Sequence, residues 1–127
     1  MKIGIFDSGI GGLTVFRQLM KKLPNNDYVY LGDTARLPYG IKSRKTVVEY
    51  SIKNTQFLIN KGCDLIVIAC NTASAFAYDI LRKKFNVPIF NVIDSGVFAV
   101  KDSGIQNIGV IATPSTIDSK TYTNRLK

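Results

Sequence analysis

The chain has 127 residues, 46% of them hydrophobic and 20% charged, which suits about one domain with a hydrophobic core and excludes a disordered chain. No apolar run is long enough to span a bilayer, and the first residues lack the apolar stretch and cleavage site of a signal peptide. Two cysteines without any histidine offer too few soft ligands for a zinc site, and they indicate a reducing, cytoplasmic setting.

The net charge of +8 raises the question of a nucleic-acid partner, because lysine and arginine bind phosphate groups. The basic residues are scattered, however, and most fall at the ends or on the exposed faces of predicted helices. No nucleic-acid-binding motif accompanies them. We therefore interpret this charge as solvated surface and expect no nucleic-acid partner.

Strands and helices alternate along the predicted chain, as in an α/β domain with a mostly parallel sheet flanked by helices. The predicted strands cover residues 2–6, 28–31, 65–69, 89–93 and 107–112. The predicted helices cover residues 13–23, 44–61, 71–85, 97–101 and 115–126, the last of them starting from Ser115 in a capping-box pattern. Cys63 precedes the third strand, and we interpret it as a packing or surface residue.

The first strand runs into a glycine-rich loop, residues 7–12. This loop fails the dinucleotide fingerprint, because Thr14 stands where the last glycine would be, and the lysine of a P-loop is missing as well. Its glycines still allow backbone N–H groups to approach a small ligand. Asp7 and Ser8 follow the first strand, so we expect them at the carboxyl edge of the sheet. Asp7 could equally serve as a turn or cap residue.

Cys70 stands between the apolar third strand and the polar first turn of a helix. Ligands of open α/β sheets bind outside the carboxyl ends of the strands, and a helix N-terminus favours anions and thiolates. The pattern predicts a thiol of lowered pKa beside an anion pocket. A buried, inert cysteine is the alternative.

Three segments together resemble glutamate racemases of the aspartate/glutamate racemase superfamily: residues 6–15 (FDSGIGGLTV), 32–40 (GDTARLPYG) and 69–74 (ACNTAS). The resemblance extends along the whole chain. It implies interconversion of L- and D-glutamate without a cofactor, which supplies D-glutamate for peptidoglycan. It also implies two similar α/β lobes facing a cleft, in a homodimer. Under this resemblance, residues 1–96 form the N-terminal lobe and residues 97–127 begin the second.

The resemblance also assigns roles to single residues. Cys70 is the acid/base of the N-terminal lobe, and the predicted substrate-binding residues are Asp7, Ser8, Tyr39, Gly40, Asn71 and Thr72. Thr113 and Thr116 line the same cleft. A carboxylate near a thiol raises the thiol pKa, so we expect Asp7 to orient the substrate ammonium group.

One departure from the family pattern is serious. The family has a second cysteine in a later Cys-Thr-His motif, which faces the other side of the substrate α-carbon, and this sequence contains no such motif. We therefore expect an N-terminal piece of a longer protein that lacks appreciable racemase activity alone. Two alternatives remain open: a related racemase acting on another small acid, and a non-catalytic module that binds glutamate or nucleic acid.

Overall fold

The computed structural model describes residues 1–127 as a parallel four-stranded sheet flanked by helices, which confirms the predicted fold class. The strands are β1 (Lys2–Asp7), β2 (Asp27–Gly32), β3 (Leu65–Ile68) and β4 (Ile89–Asn91). The α-helices are α1 (Leu13–Lys22), α2 (Arg44–Asn60), α3 (Asn71–Lys84), α4 (Val92–Ser103), α5 (Pro114–Asp118) and α6 (Thr121–Leu126). Two short 3₁₀ turns, Thr34–Arg36 and Tyr39–Ile41, lie between β2 and α2.

The strand order β2-β1-β3-β4 contains a reversal of direction between β1 and β3. The chain first moves outward from β1 to β2 and then crosses back over β1 to form β3. All pairs are parallel, with Phe6 opposite Ile68 in the β1–β3 register. Such a reversal leaves a crevice at the carboxyl edge of the sheet, where open α/β folds bind ligands.

The two faces of the sheet bury different side chains, because successive residues of a strand point to opposite faces. Helices α2 and α3 cover one face and pack against Phe6, Ile66 and Ile68. Helix α1 covers the other face at Ile3 and Ile5. None of the α-helices combines the length and the apolar character that a membrane-spanning helix requires.

Helix α2 begins where the sequence predicts, because Ser43 caps it by accepting a hydrogen bond from the Thr46 N–H at 3.2 Å. Gly62, the predicted stop signal, has φ of +78°, a conformation that favours glycine. Cys63 is buried beside Gly4, which agrees with a packing role.

The predicted strand 89–93 ends early, at Asn91, because this residue caps a helix instead. Its Oδ1 accepts a hydrogen bond from the Asp94 N–H at 2.9 Å, and α4 therefore starts at Val92 and not at Val97. The predicted lobe boundary between residues 96 and 97 falls inside α4. The division into two lobes stays a prediction.

Two further expectations for the C-terminal part are wrong. Residues 107–112 form no strand, since no neighbouring strand is present to accept their backbone hydrogen bonds, and Ile111 is fully exposed. The last helix is split into α5 and α6 at Lys120, whose φ is +55°. Its cap is Thr113 and not Ser115, because Thr113 accepts the hydrogen bond from the Thr116 N–H.

Candidate active site

A cleft of about 590 Å³ opens at the carboxyl edge of the sheet, beside β1 and β3. It brings together five of the predicted site residues from two separate parts of the chain: Asp7, Ser8, Cys70, Asn71 and Thr72. The glycine loop 9–12 and residues Leu37, Pro38 and Thr113 also line this cleft. The reversal of strand order therefore produces the predicted meeting of the first and third strand ends.

Cys70 is the N-cap of α3, and its thiol lies at the base of this cleft with 5% of the residue exposed. The Sγ atom accepts a hydrogen bond from the Ala73 N–H at 3.5 Å and lies 3.7 Å from the Ser8 Oγ. These two contacts are of a kind that stabilises a negative sulfur atom.

The expected lowering of the thiol pKa is wrong as a net effect. Burial raises the pKa of Cys70 above its ordinary value, and the Asp7 charge raises it further. Hydrogen bonds from the Ala73 N–H and from Ser8 act in the opposite direction but do not outweigh burial. In this structure, burial therefore favours the neutral thiol of Cys70 over its thiolate.

Asp7 holds the glycine loop in place. Its Oδ2 accepts hydrogen bonds from the Gly9 N–H at 3.2 Å and the Gly12 N–H at 3.0 Å. Gly12 leaves no room for a side chain, since an added Cβ would lie 2.7 Å from the Asp7 Cβ and 2.9 Å from the Ala69 Cβ. The predicted choice between a turn residue and a site residue is therefore not exclusive, because Asp7 both closes this turn and lines the cleft.

Tyr30, which sequence reasoning missed, supports the same loop from β2. Its hydroxyl donates a hydrogen bond to the Gly9 carbonyl at 3.0 Å. Burial, with the charges of Asp7 and Cys70, raises the pKa of Tyr30 to about 12, so the hydroxyl keeps its proton at physiological pH. Tyr30 and Gly9 are 21 residues apart in the chain, so no local sequence pattern predicts their contact.

Three threonine hydroxyls form a cluster beside the cleft, and two of these residues, Thr72 and Thr113, line it. The Thr72 Oγ1 lies 3.1 Å from the Thr113 Oγ1 and 3.4 Å from the Thr116 Oγ1, and the last two are 3.0 Å apart. Thr113 lines the cleft, whereas Thr116 is buried behind it. A hydroxyl both donates and accepts, so this cluster can turn donors towards an anion.

Asn71 is exposed in the first turn of α3, and its Oδ1 accepts a hydrogen bond from the Tyr122 hydroxyl at 2.7 Å. An α-helix leaves its first N–H groups without intrahelical partners, so the backbone of this turn offers further donors. Tyr122 belongs to α6 and is a second residue that the sequence analysis missed.

Tyr39 and Gly40 do not line the cleft, and their role in substrate binding stays a prediction. The Tyr39 ring is buried, its hydroxyl donates to the Asp33 carboxylate, and it accepts from the Asn54 Nδ2 at 3.0 Å. Burial and the hydrogen bond to Asp33 raise the pKa of Tyr39 far above its ordinary value. Gly40 lies directly behind Thr113, since an added Cβ would come within 2.8 Å of the Thr113 Cγ2.

No group of three or more His, Cys, Asp or Glu side chains is placed to hold a metal ion. The cleft offers one thiol, one carboxylate, several hydroxyls and the N–H groups of a helix start. Such donors and acceptors suit a small molecule that carries both a carboxylate and an ammonium group. A thiol beside them can exchange a proton with a carbon atom of that molecule.

Known proteins resemble this chain over its whole length. The family described as Asp/Glu/Hydantoin racemase matches residues 11–127. The glutamate racemases of Aquifex pyrophilus and Aquifex aeolicus (strain VF5) are each 54% identical over 100% of this chain and 50% of their own lengths. The solved glutamate racemase of Aquifex pyrophilus superposes with a TM-score of 0.96 at 52% identity, over 99% of this chain and 50% of that one.

The glutamate racemase of Francisella tularensis subsp. tularensis SCHU S4, solved in complex with D-glutamate, has a TM-score of 0.91 at 47% identity. The superposition covers 98% of this chain and 47% of the Francisella chain. The chain thus spans about half the length of the relatives it matches. From the family match and the shared fold, the chain belongs to the Asp/Glu/Hydantoin racemase family.

Proposed function

We propose that this chain is the N-terminal part of a cofactor-independent glutamate racemase, which interconverts L- and D-glutamate. The observation that carries the proposal is the Cys70 thiol at the base of a cleft shared with the Asp7 carboxylate and the Ser8 hydroxyl. The relatives named above add support, since they are glutamate racemases and one is solved with D-glutamate bound. The product would serve peptidoglycan synthesis in the cytoplasm, and the enzyme would work as a homodimer.

In this proposal Cys70 is one of two acid/base residues on opposite faces of the substrate α-carbon. As a thiolate it removes the α-proton, and as a thiol it returns one. Asn71, Thr72 and the N–H groups at the start of α3 bind the carboxylate, where negative charge develops as the proton leaves. Asp7 orients the substrate ammonium group. Ser8 stabilises the thiolate by donating a hydrogen bond from its hydroxyl group.

Inversion needs a second acid on the far face of the α-carbon, and this sequence has no second cysteine in a Cys-Thr-His motif. We therefore expect the 127-residue chain alone to exchange the α-proton of one glutamate enantiomer with solvent deuterium, and not to racemise it. Proton NMR in deuterium oxide follows the exchange, and circular dichroism follows racemisation.

The chain offers a matched control, because it has two buried cysteines and only Cys70 lines the cleft. Cys70→Ala is expected to abolish exchange, whereas Cys63→Ala is expected to retain it. If the Cys70→Ala variant still exchanges the α-proton, the proposed role of the thiol is wrong. Efficient racemisation by the unaltered chain would contradict the need for a second lobe.

The same samples separate the alternatives. Exchange of another small amino acid but not of glutamate would favour a related racemase. A nucleic-acid-binding module would be favoured if the chain binds duplex DNA with an affinity that falls steeply with salt and does not exchange the α-proton of glutamate.

A further inference from the structure

The side-chain amide of Asn71 has two chemically different ends, and only one of them suits a carboxylate. The Oδ1 atom is an acceptor and repels an anion, whereas the Nδ2 atom carries two donor hydrogens. Asn71 is exposed at the first turn of α3, so burial does not fix which end faces the cleft. Some other contact must select the orientation.

Tyr122 supplies that contact from 51 residues away, since its hydroxyl lies 2.7 Å from the Asn71 Oδ1. Burial raises the pKa of Tyr122 above its ordinary value, so the phenol stays protonated and acts as a donor at physiological pH. The amide is thereby held with its oxygen towards α6. Its Nδ2 group forms no hydrogen bond within the chain and remains free to bind a ligand.

The tyrosine is itself held in place by the packing of α6. Its ring lies against α4, where an added Cβ on Gly96 would be 3.9 Å from the Tyr122 Cε1 atom. One turn further along α6, Arg125 forms an ion pair with Asp94 of α4. The second guanidinium nitrogen of Arg125 lies 3.6 Å from Asp79 of α3. The packing against α4 and the ion pairs of Arg125 therefore hold the Tyr122 hydroxyl next to Asn71.

We propose that Tyr122 is a positioning residue that turns the Asn71 amide so that its NH₂ group faces the cleft and donates to a substrate carboxylate. The proposal rests on the proposed function for the identity of the carboxylate. The orientation of the amide does not depend on it. Tyr122 touches no substrate in this scheme and acts only through Asn71.

The first test needs no substrate. In the 127-residue chain, Tyr122→Phe removes the hydroxyl that donates to Oδ1, so we expect the side-chain ¹³Cγ resonance of Asn71 to move upfield. Tyr28→Phe is the matched control, since the Tyr28 hydroxyl donates to the Leu19 and Leu23 carbonyls away from the cleft. A variant that shifts only the Nδ2–H signals would mean a reversed amide. Either that result or an unmoved Asn71 would overturn the proposal.

The second test measures affinity through Cys70. Bound glutamate covers the thiol, so the concentration that halves its rate of alkylation by iodoacetamide reports the apparent Kd. We expect Tyr122→Phe to weaken this apparent Kd by about three- to tenfold, the value of one hydrogen bond, and Tyr28→Phe to leave it unchanged.

The two tests keep the proposals apart. If glutamate fails to protect Cys70 in the unaltered chain, the proposed function fails, and the ¹³Cγ shift still decides the role of Tyr122. If glutamate protects the unaltered chain and Tyr122→Phe equally, the proposed function survives and the positioning role is wrong.

Discussion

At the scale of single residues, the environment of Cys70 combines effects of opposite sign. Burial and the neighbouring carboxylate of Asp7 favour the neutral thiol, while the Ala73 N–H and Ser8 favour the thiolate. A base that removes a proton from carbon must spend part of its cycle as a thiolate. In our scheme, substrate binding favours the thiolate, because the substrate ammonium group would offset the charge of Asp7.

The opposing effects predict shifts of opposite direction in two variants. We expect the rate of Cys70 alkylation to rise with pH through a midpoint above the ordinary cysteine pKa, because burial raises the pKa. Asp7→Asn removes a repelling charge and is expected to lower the midpoint. Ser8→Ala removes a hydrogen bond to the thiolate and is expected to raise it. Mass spectrometry of iodoacetamide-labelled peptides measures each rate.

Cys63 provides an internal control for this measurement. Its pKa is also raised by burial, but the charges acting on it are Lys2 and Asp64, not Asp7. Its labelling profile should therefore be the same in all three proteins. If the unaltered chain, Asp7→Asn and Ser8→Ala share one Cys70 midpoint, Asp7 and Ser8 do not shift the pKa of this thiol.

At the scale of elements, the glycine loop illustrates how a close backbone approach forms the site. Gly12 has ordinary helical φ and ψ of −63° and −12°, so glycine is required there by space and not by conformation. An added Cβ would lie within 3.0 Å of Asp7, Ala69 and Tyr30 atoms. At Gly11 the nearest atom, the Asp7 Oδ2, would be 3.8 Å away, an ordinary contact.

The two neighbouring glycines therefore make a matched pair for mutation. We expect Gly12→Ala to lower the free energy of unfolding by about 1–3 kcal/mol, because the methyl group overpacks the turn. Gly11→Ala should be neutral or stabilising by up to about 1 kcal/mol, since alanine restricts the unfolded chain. Urea unfolding followed by circular dichroism gives both values. Equal stability of the two variants would show that the loop moves aside without cost.

Local sequence patterns predicted those elements whose apolar periodicity, cap and stop residues lie within the element or directly beside it. The periodic apolar residues of α2, its Ser43 cap and its Gly62 stop needed no partner to be recognised. The prediction of a strand at 107–112 was wrong because a strand-forming segment supplies only one side of a ladder, and no second strand lies beside it. Asn91 belongs to an apolar run but caps α4, an effect of one side-chain hydrogen bond that composition does not reveal.

The candidate site was predictable in part for the same reason. Asp7, Ser8 and Cys70 lie at strand ends, and the rule for parallel sheets brings such ends together. Tyr30 of β2 contacts the glycine loop and Tyr122 of α6 contacts Asn71, and no spacing within the sequence predicts those contacts. Tyr39 stands in a recognisable motif, but its hydroxyl is bound by Asp33, a contact that depends on how the 3₁₀ turns fold.

At the scale of the whole molecule, residues 104–127 attach to the rest of the chain through polar contacts and through packing against α3 and α4. Ser115 donates to the Gly40 carbonyl, Tyr122 donates to Asn71, and Arg125 pairs with Asp94. Residues 105–113, which precede Ser115, form neither helix nor strand. This segment also carries Thr113 to the cleft, so the shape of the candidate site depends on how firmly it is held.

Arg125 is the contact whose removal tests this dependence. Arg125→Met keeps an apolar stem beside Tyr78 but removes the ion pairs to Asp94 and Asp79. Because these charges are partly exposed, we expect a loss of only about 0.5–1 kcal/mol, and hence about two- to fivefold faster hydrogen exchange in α5 and α6. Exchange in β1 and β3 should not change, since neither strand contacts Arg125.

Arg17→Met is the matched control, because Arg17 lies exposed on α1 and forms no ion pair. Hydrogen exchange followed by mass spectrometry should show no change in α5 or α6 for this variant. If the C-terminal helices exchange equally in both variants, the Arg125 pairs do not hold the segment. Faster exchange in β1 as well would mean that residues 104–127 unfold together with the sheet, because local opening leaves the core protected.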